Sequence, residues 1–150
     1  MITITLSAPD AERFAVALML APELTRSEML KVEQGLLAAG IGFTQVAAPV
    51  DSGALRASIG VLDAAHWTGG GVSGAYGTSL IYAAQRNFGG PIYARPGGWL
   101  VFEIDGRKIF AKKVVQSGSH YMEAGVEQLE PLVAAGFGKV LDVVIAAIGG

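Results

Sequence analysis

His66 and His120 are the only histidines in this 150-residue chain, and there is no cysteine. Thiolate nucleophiles, disulfides and cysteine-ligated metals are therefore excluded. A catalytic triad needs an imidazole within reach of a nucleophile and a carboxylate. Asp63 stands three residues before His66, and Ser119 adjoins His120. Adjacent residues on a strand point to opposite faces, which makes Ser119 and His120 a poor pair. Ser73 is followed directly by Gly74, so it forms no G-x-S-x-G elbow. Gly69-Gly70-Gly71-Val72-Ser73-Gly74 matches the spelling of a dinucleotide loop, which requires a strand before it and a helix after it. Here a loop precedes and a strand-like run follows. Two histidines with scattered carboxylates also lack metal-ligand spacing. The reading is no enzyme, no cofactor and no metal, with a small hydrolase using His66 or His120 as the lesser alternative.

Charge offers more. Arg107, Lys108, Lys112 and Lys113 gather four of the eleven basic residues around one turn, and Glu123, Glu127 and Glu130 form an acidic patch shortly after. A basic segment and an acidic segment on one chain suit head-to-tail contacts between subunits, or pairing within one molecule. The basic run is alternatively a protected edge strand or a nucleic-acid-contacting module. The net charge of −2 argues against a dedicated nucleic-acid binder.

These residues must be held by a chain that is 51% apolar and only 16% charged, long enough for one domain over residues 1–150. The mean hydropathy of +0.45 hints at apolar surface covered by neighbouring subunits. The run Phe14–Ala21 is too short to span a membrane, and no targeting signal precedes it.

Met1–Leu6 alternates like a strand, and Ser7 with Asp10 opens a short helix that Pro22 ends. Thr25-Arg26-Ser27-Glu28 reads as a capping box before a long helix with the stripe Met29, Val32, Leu36, Ala39 and Phe43. Gly35, Gly40 and Gly42 weaken that helix, so a close neighbour must compensate. It runs to about Ala47, because Pro49 disfavours helical geometry at Ala48. Asp51 and Gly53 make a turn, and Leu55, Ala57 and Ile59 alternate with Arg56 and Ser58 as a strand. Ala64–Gly71 reads as a loop, Val72–Leu80 as a strand and Tyr82–Phe88 as a helical turn or two ended by Gly89-Gly90. Trp99–Ile104 and Lys108–Val115 flank Asp105-Gly106, the strongest hairpin signal in the chain. Pro131 opens a final helix with the stripe Val133, Phe137, Val140, Val144 and Ile148. Adjacent strands between helices predict an α+β fold, its mainly antiparallel sheet packed against the long helix and the C-terminal helix.

The stretch Pro49-Val50-Asp51-Ser52-Gly53-Ala54-Leu55-Arg56-Ala57-Ser58-Ile59 resembles the signature of tail-completion and neck proteins of long-tailed bacteriophages. These are the minor tail and head–tail joining proteins related to the lambda tail-completion protein and to the virion-morphogenesis proteins of Mu-like phages. Members show a long helix, a Pro-Val-Asp-Thr-Gly turn, Leu-Arg-x-Ser-Ile, and then a Tyr-Ala segment leading to Phe-Gly. Gly77–Gly90 supplies that second block, with Tyr82, Ala83, Phe88 and Gly89 in matching places. The match covers roughly Thr44 to Gly90. Ser52 stands where threonine is usual, and Ser117–Met122 stands where an Arg-Pro pair closes the last strand, which leaves both branches of the family open.

The resemblance implies a structural virion protein, assembled in the host cytoplasm into a homo-oligomeric ring, six-fold in expectation, at the neck. Its partners would be head-closure or connector proteins, tail-terminator proteins and DNA passing through without specific binding, with no membrane. Pro49, Asp51, Ser52, Gly53 and Arg56 would form the structural turn. Arg107, Lys108, Lys112, Lys113, Glu123 and Glu127 would be candidates for the subunit interface.

Overall fold

Pro22 opens a helix rather than only closing one. Its fixed φ and missing N–H suit a first helical turn, and α2 runs from Pro22–Ala47, directly after α1 (Ala11–Leu20). The structure, a computed structural model, describes residues 11–149, so the expected strand at Met1–Leu6 and the Ser7–Asp10 helix start lie outside the described residues.

Because α2 starts at Pro22, Thr25-Arg26-Ser27-Glu28 is not the capping box that its spelling predicts. Thr25 is fully buried, and its hydroxyl donates to the Ala21 carbonyl at 2.7 Å, with the Ala17 carbonyl at 3.2 Å. It thereby ties the last turn of α1 to the first of α2. The Glu28 carboxylate accepts from Lys31 Nζ at 2.6 Å instead of reaching back to a backbone N–H.

The remaining elements are α3 (Ala54–Ser58), β1 (Gly60–Thr68), β2 (Gly71–Gly77), α4 (Ala83–Phe88), β3 (Gly89–Tyr93), β4 (Leu100–Ile104), β5 (Arg107–Ala111), β6 (Lys113–Ser117) and α5 (Tyr121–Ile148). The fold is α+β, and every strand pairing is antiparallel: β1 with β2, β3 with β6, β4 with β5. The strands pair two by two, in three separate ladders. The chain divides into two compact units, a helical unit up to Leu80 and again from Tyr121, and a strand unit, Ile81–His120.

Three expected elements are corrected. Leu55–Ile59 is not a strand, since α3 occupies it. Leu55 and Ile59, four apart, are both buried as one helical face, while Ala57, which alternation would also bury, is exposed. Ala64–Gly71 is not a loop; β1 continues to Thr68, and its two register shifts break the alternation that would have shown it. Pro131 does not open the last helix, because α5 begins ten residues earlier.

The core of the helical unit lies between α2 and α5. Met122, Leu129, Val133, Phe137, Val140 and Val144 form the buried stripe of α5, which packs on α2; Met29 and Leu36 of α2 are buried too, while Leu37 lies against Gly74 of β2. Ile148, the last member of the expected stripe, is 45% exposed. Among the described residues α5 is the one helix long and apolar enough to cross a membrane by length and composition, although here its buried stripe packs on α2.

The helices approach most closely at Gly125. A Cβ there would stand 2.0 Å from Thr44 Oγ1 and 2.9 Å from Thr44 Cα. Thr44 is fully buried and donates to the Tyr76 hydroxyl of β2 at 3.2 Å, while the Tyr76 ring fills the space a side chain at Gly40 would need. That contact explains why α2 tolerates a glycine in its interior. Arg26 lies over the Trp67 ring of β1, 5.1 Å from its centroid.

Glu33 of α2 sits against β2, its Oε1 3.3 Å from where a Cβ on Gly74 would stand. Burial pushes its carboxyl above the ordinary glutamate range. A raised carboxyl pKa in the fold means that the native state holds the proton more tightly than the unfolded chain. Stability contributed by this group is therefore present in acid and lost as pH rises through the folded value. Glu33→Gln should raise the thermal midpoint at pH 7, with the gain shrinking to nothing below about pH 4. Gly125→Ala should cost about 1–3 kcal/mol by overpacking, despite the better helix propensity of alanine. Urea unfolding with an unchanged m-value is the check; a neutral result would mean that α2 and α5 can separate freely at Thr44.

Candidate functional site

The Pro49–Ile59 segment is a helix–turn–helix joint. Gly53 adopts φ 82°, the left-handed region, and precedes the first residue of α3. The Ser52 hydroxyl accepts from the Ala54 N–H at 3.4 Å, and the Ala57 N–H bonds back to the Gly53 carbonyl at 3.0 Å. Arg56 reaches the Ala48 carbonyl at 3.5 Å, so its guanidinium sits at the negative end of α2. Gln45 Nε2 donates to the Ile59 carbonyl at 3.0 Å, and the Ser58 hydroxyl lies 2.7 Å from Thr78 Oγ1 just past β2. The turn is thereby clamped to the helix before it and to the strand pair after it. Pro49, Asp51 and Ser52 lie along the surface of this joint.

The strand unit presents a different surface. Asp105 and Gly106 take φ 50° and 75°, both positive, as a type I′ turn requires. That turn sets the register Ile104↔Arg107, Glu103↔Lys108, Phe102↔Ile109, Val101↔Phe110 and Leu100↔Ala111. Paired residues share a face, so Lys108 stands opposite an acidic residue, Glu103, on the same side as Val101 and Phe110. Arg107 belongs to the other face, with Ile104, Phe102 and Ile109. The two-stranded ladder leaves both faces open: Val101 is 55% exposed, Phe110 60% and Ile104 53%. Tyr93, Trp99 and Val115 are exposed as well.

The expected continuous run Lys108–Val115 is broken at Lys112, where the chain bends from β5 into β6. Lys112 Nζ lies 3.9 Å from the Trp99 ring centroid and donates to the Gly98 carbonyl. Lys113, in register with Tyr93, holds its ammonium 5.5 Å from that ring. Two of the four basic side chains thus lie over aromatic faces of their own unit, a favourable arrangement for a cation. Sequence reasoning missed these pairs. The signal was present, because a register counted outward from Asp105-Gly106 places Trp99 opposite Lys112.

The unit is closed at its ends by a clasp. The Ser119 N–H donates to the Arg86 carbonyl at 3.0 Å, the Ser119 hydroxyl to the same carbonyl at 2.9 Å, and the His120 N–H to the Asn87 carbonyl at 2.9 Å. These bonds satisfy the last carbonyls of α4, which a short helix leaves open. His120 takes φ 50°, unusual for a residue with a Cβ, and is exposed. His66, also exposed, holds Nδ1 2.9 Å from the Ala64 carbonyl and 3.6 Å from Asp63 Oδ2. Gly69-Gly70 is the turn between β1 and β2, so a strand follows it where a dinucleotide loop would have a helix. Among the described residues, no three His, Asp or Glu side chains gather as a metal site.

Glu123 and Glu127 lie exposed on the first two turns of α5, in the helical unit, whereas the four basic residues belong to the strand unit. The segregation extends to whole units. Residues 81–120 hold six basic and two acidic side chains, net +4, and the rest of the chain holds five and eleven, net −6.

No family model, curated protein or solved structure matches this chain.

With no Cβ contact within 4 Å at Gly53, substitution there acts through backbone strain alone. Gly53→Val should therefore destabilise by about 1–3 kcal/mol, while Ser52→Thr, which keeps the hydroxyl, should leave the denaturation midpoint unchanged. Equal effects of the two would show that the left-handed conformation does not matter to the joint.

Proposed function

We propose that this chain is a structural protein of the phage head–tail joint, of the neck or tail-completion type, working as a homo-oligomeric ring rather than as an enzyme. The observation that carries this reading is the strand unit's surface. Two-stranded ladders are marginal by themselves, and here they expose Tyr93, Trp99, Val101, Ile104, Phe110 and Val115 together. Apolar surface on that scale is characteristic of protein that is covered in an assembly. The resemblance of Pro49–Ile59 and Gly77–Gly90 to the neck and tail-completion signature supplies the location. Ring subunits need the angle between their long helix and the following elements held constant, and the clamped turn at Gly53 is suited to that.

In this role the neighbours are head-closure or connector proteins on one side and tail-terminator proteins on the other. DNA passes through the ring without specific contacts, and the ring is six-fold. Disruption of the gene in a genome that carries it should yield DNA-filled heads and free tails that fail to join, visible by electron microscopy. Supplying the chain in trans should restore joined particles. Normal joined particles without the chain would overturn the assignment.

A further inference from the structure

The two units of the chain carry opposite charge, and both leave apolar side chains in solvent. The strand unit is net +4 and exposes Tyr93, Trp99, Val101 and Phe110. The helical unit is net −6, and on α5 it exposes Glu127 and Glu130 together with Ile145 and Ile148. At helical spacing these four side chains fall on one side of α5, where Glu130 and Ile148 border the buried Phe137 and Leu141. Acidic groups occupy the first half of that side and apolar groups the second.

Charge decides which surfaces of two copies can meet. Strand unit against strand unit sets +4 against +4, and helical unit against helical unit sets −6 against −6. Burying apolar surface in either pairing brings like charges together at short range, where salt screens them least. The cross pairing brings opposite charges together and covers both apolar surfaces.

We propose that the strand unit of one copy docks on the exposed side of α5 in a neighbouring copy, making a heterologous, head-to-tail contact. This deepens the ring reading above and rests on it. Such a contact generates a ring when its rotation closes. Lys112 and Lys113 act as covers in the free chain, each ammonium held over an aromatic face. On docking they exchange those rings for carboxylates of the neighbour, and Trp99 and Tyr93 become contact surface.

Two measurements test this on the full-length chain. In a Trp67→Phe background Trp99 is the sole tryptophan, 58% exposed in the free chain. Its emission should shift to the blue as concentration rises and native mass increases at low ionic strength. An unshifted emission during assembly would overturn docking through this unit. Separately, K112E/K113E and E127K/E130K should each weaken self-association at least tenfold in sedimentation experiments, and an equimolar mixture of the two should recover it. Recovery on mixing also shows that both variants are folded. Wild-type-like assembly by either variant alone overturns the docking mode while leaving ring formation standing. A wild-type chain that stays monomeric at every concentration overturns self-assembly itself. DNA binding that K112E/K113E abolishes, with assembly unchanged, assigns the basic surface to nucleic acid instead.

Discussion

Thr44 is the point at which α2, α5 and β2 meet, and the helical unit depends on how closely they can approach there. Its hydroxyl satisfies the Tyr76 phenol within the buried core, and its backbone lies against Gly125, where no side chain fits. A buried hydroxyl pair without partners would cost more than it contributes. Here each hydroxyl is the other's partner, and among the described residues no buried side-chain polar atom is left unsatisfied. The Tyr76 ring then occupies the space over Gly40 and fixes β2 on α2. The glycines of these helices, which lower local propensity, are thus partly the means by which the three elements come within contact distance.

Where local physics dominates, the sequence is readable. The end of α2 before Pro49, the short α4 before Gly89-Gly90, the Asp105-Gly106 hairpin and most of the α5 stripe follow from rules that act within a few residues. The failures come from positions whose meaning depends on distant partners. Leu55 and Ile59 satisfy both a period of two and a spacing of four, and burial selects the helix. Thr25 and Glu28 spell a cap, but Pro22 has already opened the helix, and the Thr25 hydroxyl is drawn to α1. Pro131 is compatible with a first turn, yet Met122, Gly125 and Leu129 extend the core contact far ahead of it.

The candidate site was legible in outline only. Sequence reasoning identified the basic cluster and the acidic patch, and the hairpin register needed to pair Lys112 with Trp99 was already implied by its turn. It could not show that the strand unit would keep so much apolar surface outside, because exposure is a property of the folded whole. The lysines are consistent with that exposure. A flexible stem over an aromatic ring shields apolar surface while holding a charge at the edge.

The clasp joining Arg86 and Asn87 to Ser119 and His120 has a bearing on how the chain folds. For α5 to find α2, the polypeptide must close a loop from Thr44 to Gly125, and the entropy of that closure grows with the length of flexible chain between them. Once the Ser119 hydroxyl is bonded to the Arg86 carbonyl, 33 residues apart in sequence, the entire strand unit is shortcut at its base. With β2 held on α2 by the Thr44–Tyr76 bond, the flexible chain left between Leu80 and Tyr121 then runs only through residues 81–86 and 119–120. The intervening strands can therefore vary in length and composition at small entropic penalty to the core that carries them.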